Sequence, residues 1–502
     1  MAAVRWMAPV CLLASFIWVG PAAAEATMVL PRPAVEVLGE GTVRLTAKGG
    51  DLAVAWPAGA VQGAILEGRK LLLRRLKALG HTLSESDASE AAVVVARCDE
   101  ATLAGLCERH NLAPLLEANR RRQAYHLQAG TTAGGKPRVA LRAVSDWGLY
   151  YGLVTLCQLL DVDDAGALRI PTIEVLDFPE IGHRLAKTSA ANPPEVVARF
   201  VAWLPLLKIS QVGLQYHGRS SKRPEPDFTA NVERLCPRLR REGTIETIVY
   251  FCPFRASPGK ATGPSRAAYD FSIEADAAAY GDYLLWIMAQ GAHGIEVDYN
   301  DWPGSREVPI ADVINLAFER VRRKHPDAYV LYCPPAQGDE SYRGLPTAAL
   351  RQTLSRVPPA VWPLWTGPTT LIEKPLTSEA VEQFTRQAGR RPFLWVNRVA
   401  WGVDKAFVTT LPAGPGGESA SVFRGDFLPR DLNRLFEGVH LNAGLSPQYN
   451  RLPGAFDTKA LVYLATAADF LWNPRAWNAQ DSLRRAARFV EIMNGLPAGP
   501  DP

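Results

Sequence analysis

The chain has 502 residues, 47% of them hydrophobic, which is enough for two or three domains around a large core and excludes a disordered chain. Its 55 basic and 51 acidic side chains leave a net charge of +4, and no basic block carries interleaved aromatics, so a nucleic-acid partner is not expected. Beyond the N-terminus no segment stays apolar long enough to cross a bilayer.

The first 26 residues combine one early cation, Arg5, with an apolar core from about Met7 to Val19 and small residues at Ala22 to Ala24. This is the pattern of a secretory signal peptide, its core too short to span a membrane. Residues 1–26 are therefore expected to be cleaved, and the mature chain to be exported to the periplasm or beyond, without membrane attachment. Cys11 leaves with this leader. Cys98, Cys107, Cys157, Cys236, Cys252 and Cys333 remain, none in a CxxC pair, which argues against a zinc cluster. An exported chain can bridge Cys98 to Cys107; buried free thiols fit as well, because Cys157 and Cys252 lie inside apolar runs.

Residues 27–178 read as a small α/β domain. Its expected elements are a strand at Val35 to Thr46, a helical stretch from Gly59 to Leu79, a strand "AAVVVA", and a strand pair at "AYHLQAG" and "PRVALRA". A helix over "SDWGLYYGLVTLCQLL" follows, capped by Ser145 or Asp146, and then a strand through "IPTIEVLDFPEIG". From residue 179 to 450 short apolar strands alternate with amphipathic helices. The segment Gly182 to Ala190 and the stretches "KISQVGLQY", "TIETIVYFCP", "HGIEVDYND", "AYVLYCPP", "AVWPLWTGP", "RPFLWVN" and "GVHLNAG" make eight, the count of a (β/α)8 TIM-type barrel. A doubly wound sheet would normally offer a glycine-rich first turn, and none is present. Residues 451–502 carry apolar side chains at helical spacing and read as a helical segment against the barrel.

Catalytic groups of such a barrel project from the C-terminal ends of its strands. Four stretches stand there: "DYND" with Asp298, Asn300 and Asp301; Trp365-Thr366-Gly367; Asn397; and Asn442. On a strand Asp298 and Asn300 share a face. Structural roles compete with each candidate. Asp298 can be a hydrogen-bonded strand carboxylate, Asp301 a helix N-cap, and Trp365 and Trp395 barrel filling. The eight histidines offer no metal motif, no cofactor is expected, and His217 and His293 read as structural.

The segment "SDWGLYYGLVTLCQLL" followed by "IPTIEVLDFPEIGHR" resembles the small α/β domain that precedes the barrel in glycoside hydrolases of families 20 and 84. The barrel resembles family 84, the β-N-acetylglucosaminidases that include hyaluronidase-like enzymes and O-GlcNAcase. "GAHGIEVDYND", "WPLWTGPTTL", "RPFLWVN" and "GVHLNAGLSP" leading to "ATAADFLWNP" carry this resemblance, over roughly residues 30 to 490. It implies a carbohydrate partner containing N-acetylglucosamine and a fourth strand ending in two aspartates. One of these polarises the substrate's 2-acetamido group, which attacks the anomeric carbon; the other is the general acid. By this resemblance Asn300 falls on the first position and Asp301 on the second. Asp298 is then the carboxylate able to compensate for the amide. Trp365, Asn397 and Asn442 match sugar-holding positions, while the family's next aspartate falls on Gly402, with Asp404 two residues on. Three further stretches depart from the pattern: "HRLAKTSAAN" on the first strand, "LQYHGRSS" on the second, and Gln337 after the fifth.

Three functions remain open on this reading. The first is hydrolysis of a β-linked N-acetylhexosamine by substrate-assisted retention. The second is carbohydrate binding without turnover. The third is a glycosidase using two protein carboxylates, with Asp298 or Glu296 paired to Asp301.

Overall fold

The computed structural model describes residues 28–496 except 60–61, 114, 116, 191, 217–225, 252–270, 272, 300–309, 336–343, 369–374, 397–407, 414–417, 424, 443–457 and 494–495. The leader at 1–26, Asn300, Asp301, Asn397 and Asp404 therefore lie outside the described residues, as do His217 and Cys252.

The first unit is a sheet built from β1 (Val35–Thr46), β2 (Asp51–Ala55), β3 (Thr82–Glu85), β4 (Val93–Arg97), β5 (Tyr125–Thr131), β6 (Pro137–Ala143), β7 (Asp161–Val162) and β8 (Leu168–Asp177). Its order is β1-β8-β5-β6-β4-β2-β3, with β7 on β8. The four strands from β1 to β6 pair antiparallel and those from β6 to β3 parallel. The helices Gly63–Ala78 and Asp146–Leu159 cover one face. Ser145 is the cap of the second helix: its hydroxyl accepts the Gly148 N–H at 3.1 Å. The short strands β2 and β3 and the helices Glu100–Arg109 and Ala118–Gln123 add to the elements expected from the sequence. Cys98 and Cys107 are free thiols.

Eight parallel strands then close a barrel: β9 (His183–Ser189), β10 (Gln211–Tyr216), β11 (Glu246–Phe251), β12 (Gly294–Asp298), β13 (Tyr329–Cys333), β14 (Val361–Trp365), β15 (Phe393–Val396) and, after a hairpin of β16 (Val408–Ala413) and β17 (Glu418–Phe423), β18 (Gly438–Leu441). These are the eight segments expected from the sequence; the hairpin is an addition. Strand side chains alternate between the two faces of a sheet, and the core divides accordingly. Leu185, Ile248, Tyr250, Leu331, Cys333, Leu364, Phe393 and Trp395 form one cluster inside the barrel. Val212, Leu214, Val249, Ile295, Val297, Val330, Tyr332, Leu394, Val396, Val439 and Leu441 face outward into the main core with the helices.

The N-terminal end of the barrel is plugged. His183 packs against Tyr329 and Trp362 with ring centroids 5.1 and 4.9 Å away. Glu246 holds Gln211 at 3.1 Å and Arg122 at 2.9 Å. The junction with the first unit is charged and buried. Asp177, the last residue of β8, accepts hydrogen bonds from Tyr125 Oη at 2.6 Å, Lys208 Nζ at 2.8 Å, Trp472 Nε1 at 2.6 Å and the Ala34 N–H at 3.1 Å. Trp472 ends the helix Thr458–Trp472, so one carboxylate ties together the small sheet, the barrel and the C-terminal helices.

Candidate active site

Near the C-terminal end of the barrel, the inward positions form a buried polar layer. Parallel pairing sets Tyr250 of β11 beside Glu296 of β12, Asp298 beside Cys333 of β13, and Trp395 of β15 beside His440 of β18. Lys187 of β9 pairs with Gly213 of β10. A side chain at Gly213 would meet the Tyr250 ring at 2.5 Å, so the glycine makes room for that ring and for what lies on it. The Lys187 ammonium does: it stands 4.7 Å from the centre of the Tyr250 ring and 5.1 Å from that of Trp395. Trp395 in turn stacks on His440, with centroids 5.7 Å apart and planes 2° from parallel.

Glu296 and Asp298 are each 2% exposed, and their donor oxygens and the Cys333 sulfur lie within 4.8 Å of one another. Val297 between them faces outward, which puts both carboxylates on the inner face, as the alternation predicts. Gly294 lets β12 come close to β13, where a Cβ would meet Tyr329 O at 2.6 Å. Past Asp298 the Tyr299 N–H still donates to Cys333 O at 2.9 Å, so the backbone is fixed on both sides of the carboxylate.

Burial, reinforced by the neighbouring Asp298, pushes the Glu296 carboxyl well above the usual carboxylate range, while Lys187 and the Tyr250 hydroxyl oppose the shift. Burial raises the Cys333 thiol too, with Asp298 and Glu296 adding to it. His440 is held neutral, its pKa pulled well down by burial and then by Lys187. Two oxygens and a sulfur at this spacing suit a cation.

The residues expected from the sequence divide. Asp298 is in this layer. Asn442 lies two residues beyond the inward His440 and so on the same face; it is half-buried, with its N–H on Val396 O at 3.1 Å. Trp365 is corrected: it is fully buried in the outer core, against Phe384 with centroids 4.6 Å apart, and its indole donates to Gly344 O at 2.7 Å. Trp362 and Leu364 take the inward positions of β14, which sends Trp365 out to the helices rather than to a substrate. His293 accepts the Thr247 N–H at 3.0 Å and serves the backbone. Lys187 was missed, because a lone lysine near a strand end reads as a solvated rim residue; its neighbours, the rings of Tyr250 and Trp395, come from other strands.

The family model for glycosyl hydrolase family 20, domain 2, matches residues 26–178. No curated protein matches the chain. Among solved structures, one titled "Structure of CpGH84B" is similar with a TM-score of 0.65 at 15% identity, over 94% of this chain and 75% of that one. The family 20 exo-β-N-acetylglucosaminidase of Vibrio harveyi, in complex with N-acetylglucosamine, has a TM-score of 0.61 at 13% identity over 95% and 78%. The β-N-acetylhexosaminidase of Bacteroides fragilis has 0.60 at 10% identity over 93% and 95%. The chain thus has the fold of the hexosaminidase-type glycoside hydrolases. Family 84 and family 20 structures match about equally well, so that fold does not choose between them.

Proposed function

We propose that this chain is a glycoside hydrolase that releases a β-linked N-acetylhexosamine with retention of configuration. The substrate's acetamido oxygen attacks the anomeric carbon, and Asp298 accepts the acetamido N–H and stabilises the charge of the oxazoline-like intermediate. Asp301 protonates the leaving oxygen and then takes the proton of the water that opens the intermediate. Asn300 is neutral where family 84 carries a carboxylate, so the charge comes from Asp298 instead. Asn442, Asn397 and Asp404 hold sugar hydroxyls. The leader at 1–26 sends the protein out of the cytoplasm, toward a glycan or glycoprotein.

The observation that most supports this reading is the position of Asp298: inward at the C-terminal end of the fourth barrel strand, 2% exposed, in a fold shared with hexosaminidases. Glu296 and Asp298 do not themselves form an acid–nucleophile pair. They leave one strand on one side, and two carboxyls that flank a glycosidic bond must approach it from different directions. A screen with aryl β-N-acetylglucosaminide, aryl β-N-acetylgalactosaminide and the matching glycosides without the acetamido group tests the proposal. Turnover confined to acetamido sugars is expected. Equal turnover of both kinds indicates two protein carboxylates, and binding without turnover a carbohydrate-binding protein.

A further inference from the structure

We propose that Glu296, Asp298 and Cys333 form a binding site for a zinc-class divalent cation, and that the bound ion inhibits the enzyme by occupying the carboxylate that would meet the acetamido group. The metal site stands on its own geometry; the inhibition rests on the hydrolase reading above.

Two adjacent strands supply the three side chains. Glu296 and Asp298 turn inward from β12, and Cys333 is the β13 partner of Asp298. Their donor atoms lie within 4.8 Å of one another, and zinc holds oxygen and sulfur ligands at about 2.0–2.3 Å, so small side-chain rotations bring all three to one ion. The Tyr299 N–H, on Cys333 O at 2.9 Å, keeps the two strand ends in register beside them. A second observation points to a ligand. Glu296 is 2% exposed, yet its Oε2 has no hydrogen-bond partner among the described residues. Leaving a buried carboxyl oxygen without a partner is costly, and a coordinated cation satisfies it. The thiol selects the metal: magnesium and calcium take oxygen ligands, whereas zinc accepts sulfur beside carboxylate. No CxxC pair is needed, because sulfur and oxygens come from neighbouring strands. Binding displaces any proton on the thiol and the carboxyls to solvent. Three protein ligands leave the fourth tetrahedral position open to water. While the ion is held, Asp298 cannot accept the acetamido N–H.

The full chain, first treated with a chelator, is titrated without substrate in two ways: with zinc against a chromophoric chelator, and with cadmium, whose bond to a thiolate gives an ultraviolet charge-transfer band. Zinc should bind and should not be displaced by magnesium or calcium. Cys333→Ser should remove the cadmium band, while Cys98→Ser, at the half-buried thiol of the first unit, should keep it. Cys333→Ser and Glu296→Gln should each weaken zinc by about tenfold or more, at least the loss seen when a supporting residue of a metal site is changed. If Cys333→Ser does not fold, Cys333→Ala carries the same test. On an aryl N-acetylglucosaminide, zinc should raise KM with kcat unchanged, a chelator should reverse this, and Cys333→Ser should need about tenfold or more zinc for the same effect. A cadmium band that survives in Cys333→Ser, or zinc affinity unaltered in both variants, overturns the site. Zinc held there without effect on an active enzyme overturns the inhibition. The titrations need no turnover: the expected metal binding in a protein that hydrolyses nothing upholds the site and removes the hydrolase reading. An active enzyme with neither zinc binding nor a cadmium band does the reverse.

Discussion

The Asp177 carboxylate and the Lys208 ammonium meet at 2.8 Å with neither side chain exposed. Burial lowers the Lys208 pKa and Asp177 pulls it back up, so the buried ammonium depends on the carboxylate beside it. Removing one partner strands a buried charge. Asp177→Ala should cost about 3–5 kcal/mol in urea unfolding, the range for breaking a buried pair. The double variant Asp177→Leu/Lys208→Met should lie closer to wild type than either single change. Equal and additive losses would show that the pair is not coupled.

His183, in the aromatic plug at the far end of the barrel, has its pKa lowered to about 4, chiefly by burial, with Glu246 opposing. The folded protein therefore holds it neutral while the unfolded chain, with a pKa near 6.5, takes up a proton. The stability this gives is whole above about pH 6.5 and is lost as pH falls toward 4, on the order of 3 kcal/mol in total. His126, His293 and His440 are displaced in the same direction and steepen the loss. Urea midpoints between pH 7.5 and 4.5 should fall less steeply for His183→Gln than for the wild type.

Trp365 should behave as a core residue. Trp365→Phe is expected to lower the unfolding midpoint and leave KM for the sugar unchanged within about twofold, and Trp365→Ala to cost about 3–5 kcal/mol. A large rise in KM with unaltered stability would return Trp365 to the binding cleft.

Why that side chain was misread shows what the sequence can carry. The eight barrel strands were legible because each is a short apolar run between helical stretches, and a barrel needs eight of them. The phase within a run was not always legible. In "VWPLW" every residue is apolar, so no polar position marks which side faces in. In "GIEVD" the charged Glu296 and Asp298 alternate with Ile295 and Val297, and the phase was plain. The hairpin β16–β17 escaped because "VTTLPA" and "ESASVF" are too polar to register as barrel strands. Lys187 escaped because the rings it stands on, Tyr250 and Trp395, belong to other strands, brought near only by closure of the sheet.

Asp301 should matter in proportion to the leaving group. Asp301→Asn is expected to remove most activity on alkyl or glycan aglycones, which need protonation, and much less on activated aryl glycosides. Equal losses on both would take the acid role away from Asp301.

The most direct test of the account is the turnover of an aryl β-N-acetylglucosaminide by the wild type and by Asp298→Asn, with N-acetylglucosamine affinity measured by calorimetry on the same preparations. The account predicts that the wild type hydrolyses the substrate and that Asp298→Asn loses about 10²–10³ in kcat, the scale of one preorganised electrostatic group, with affinity nearly unchanged. A wild type that binds the sugar without turning it over, or an Asp298→Asn protein as fast as the wild type, would contradict it.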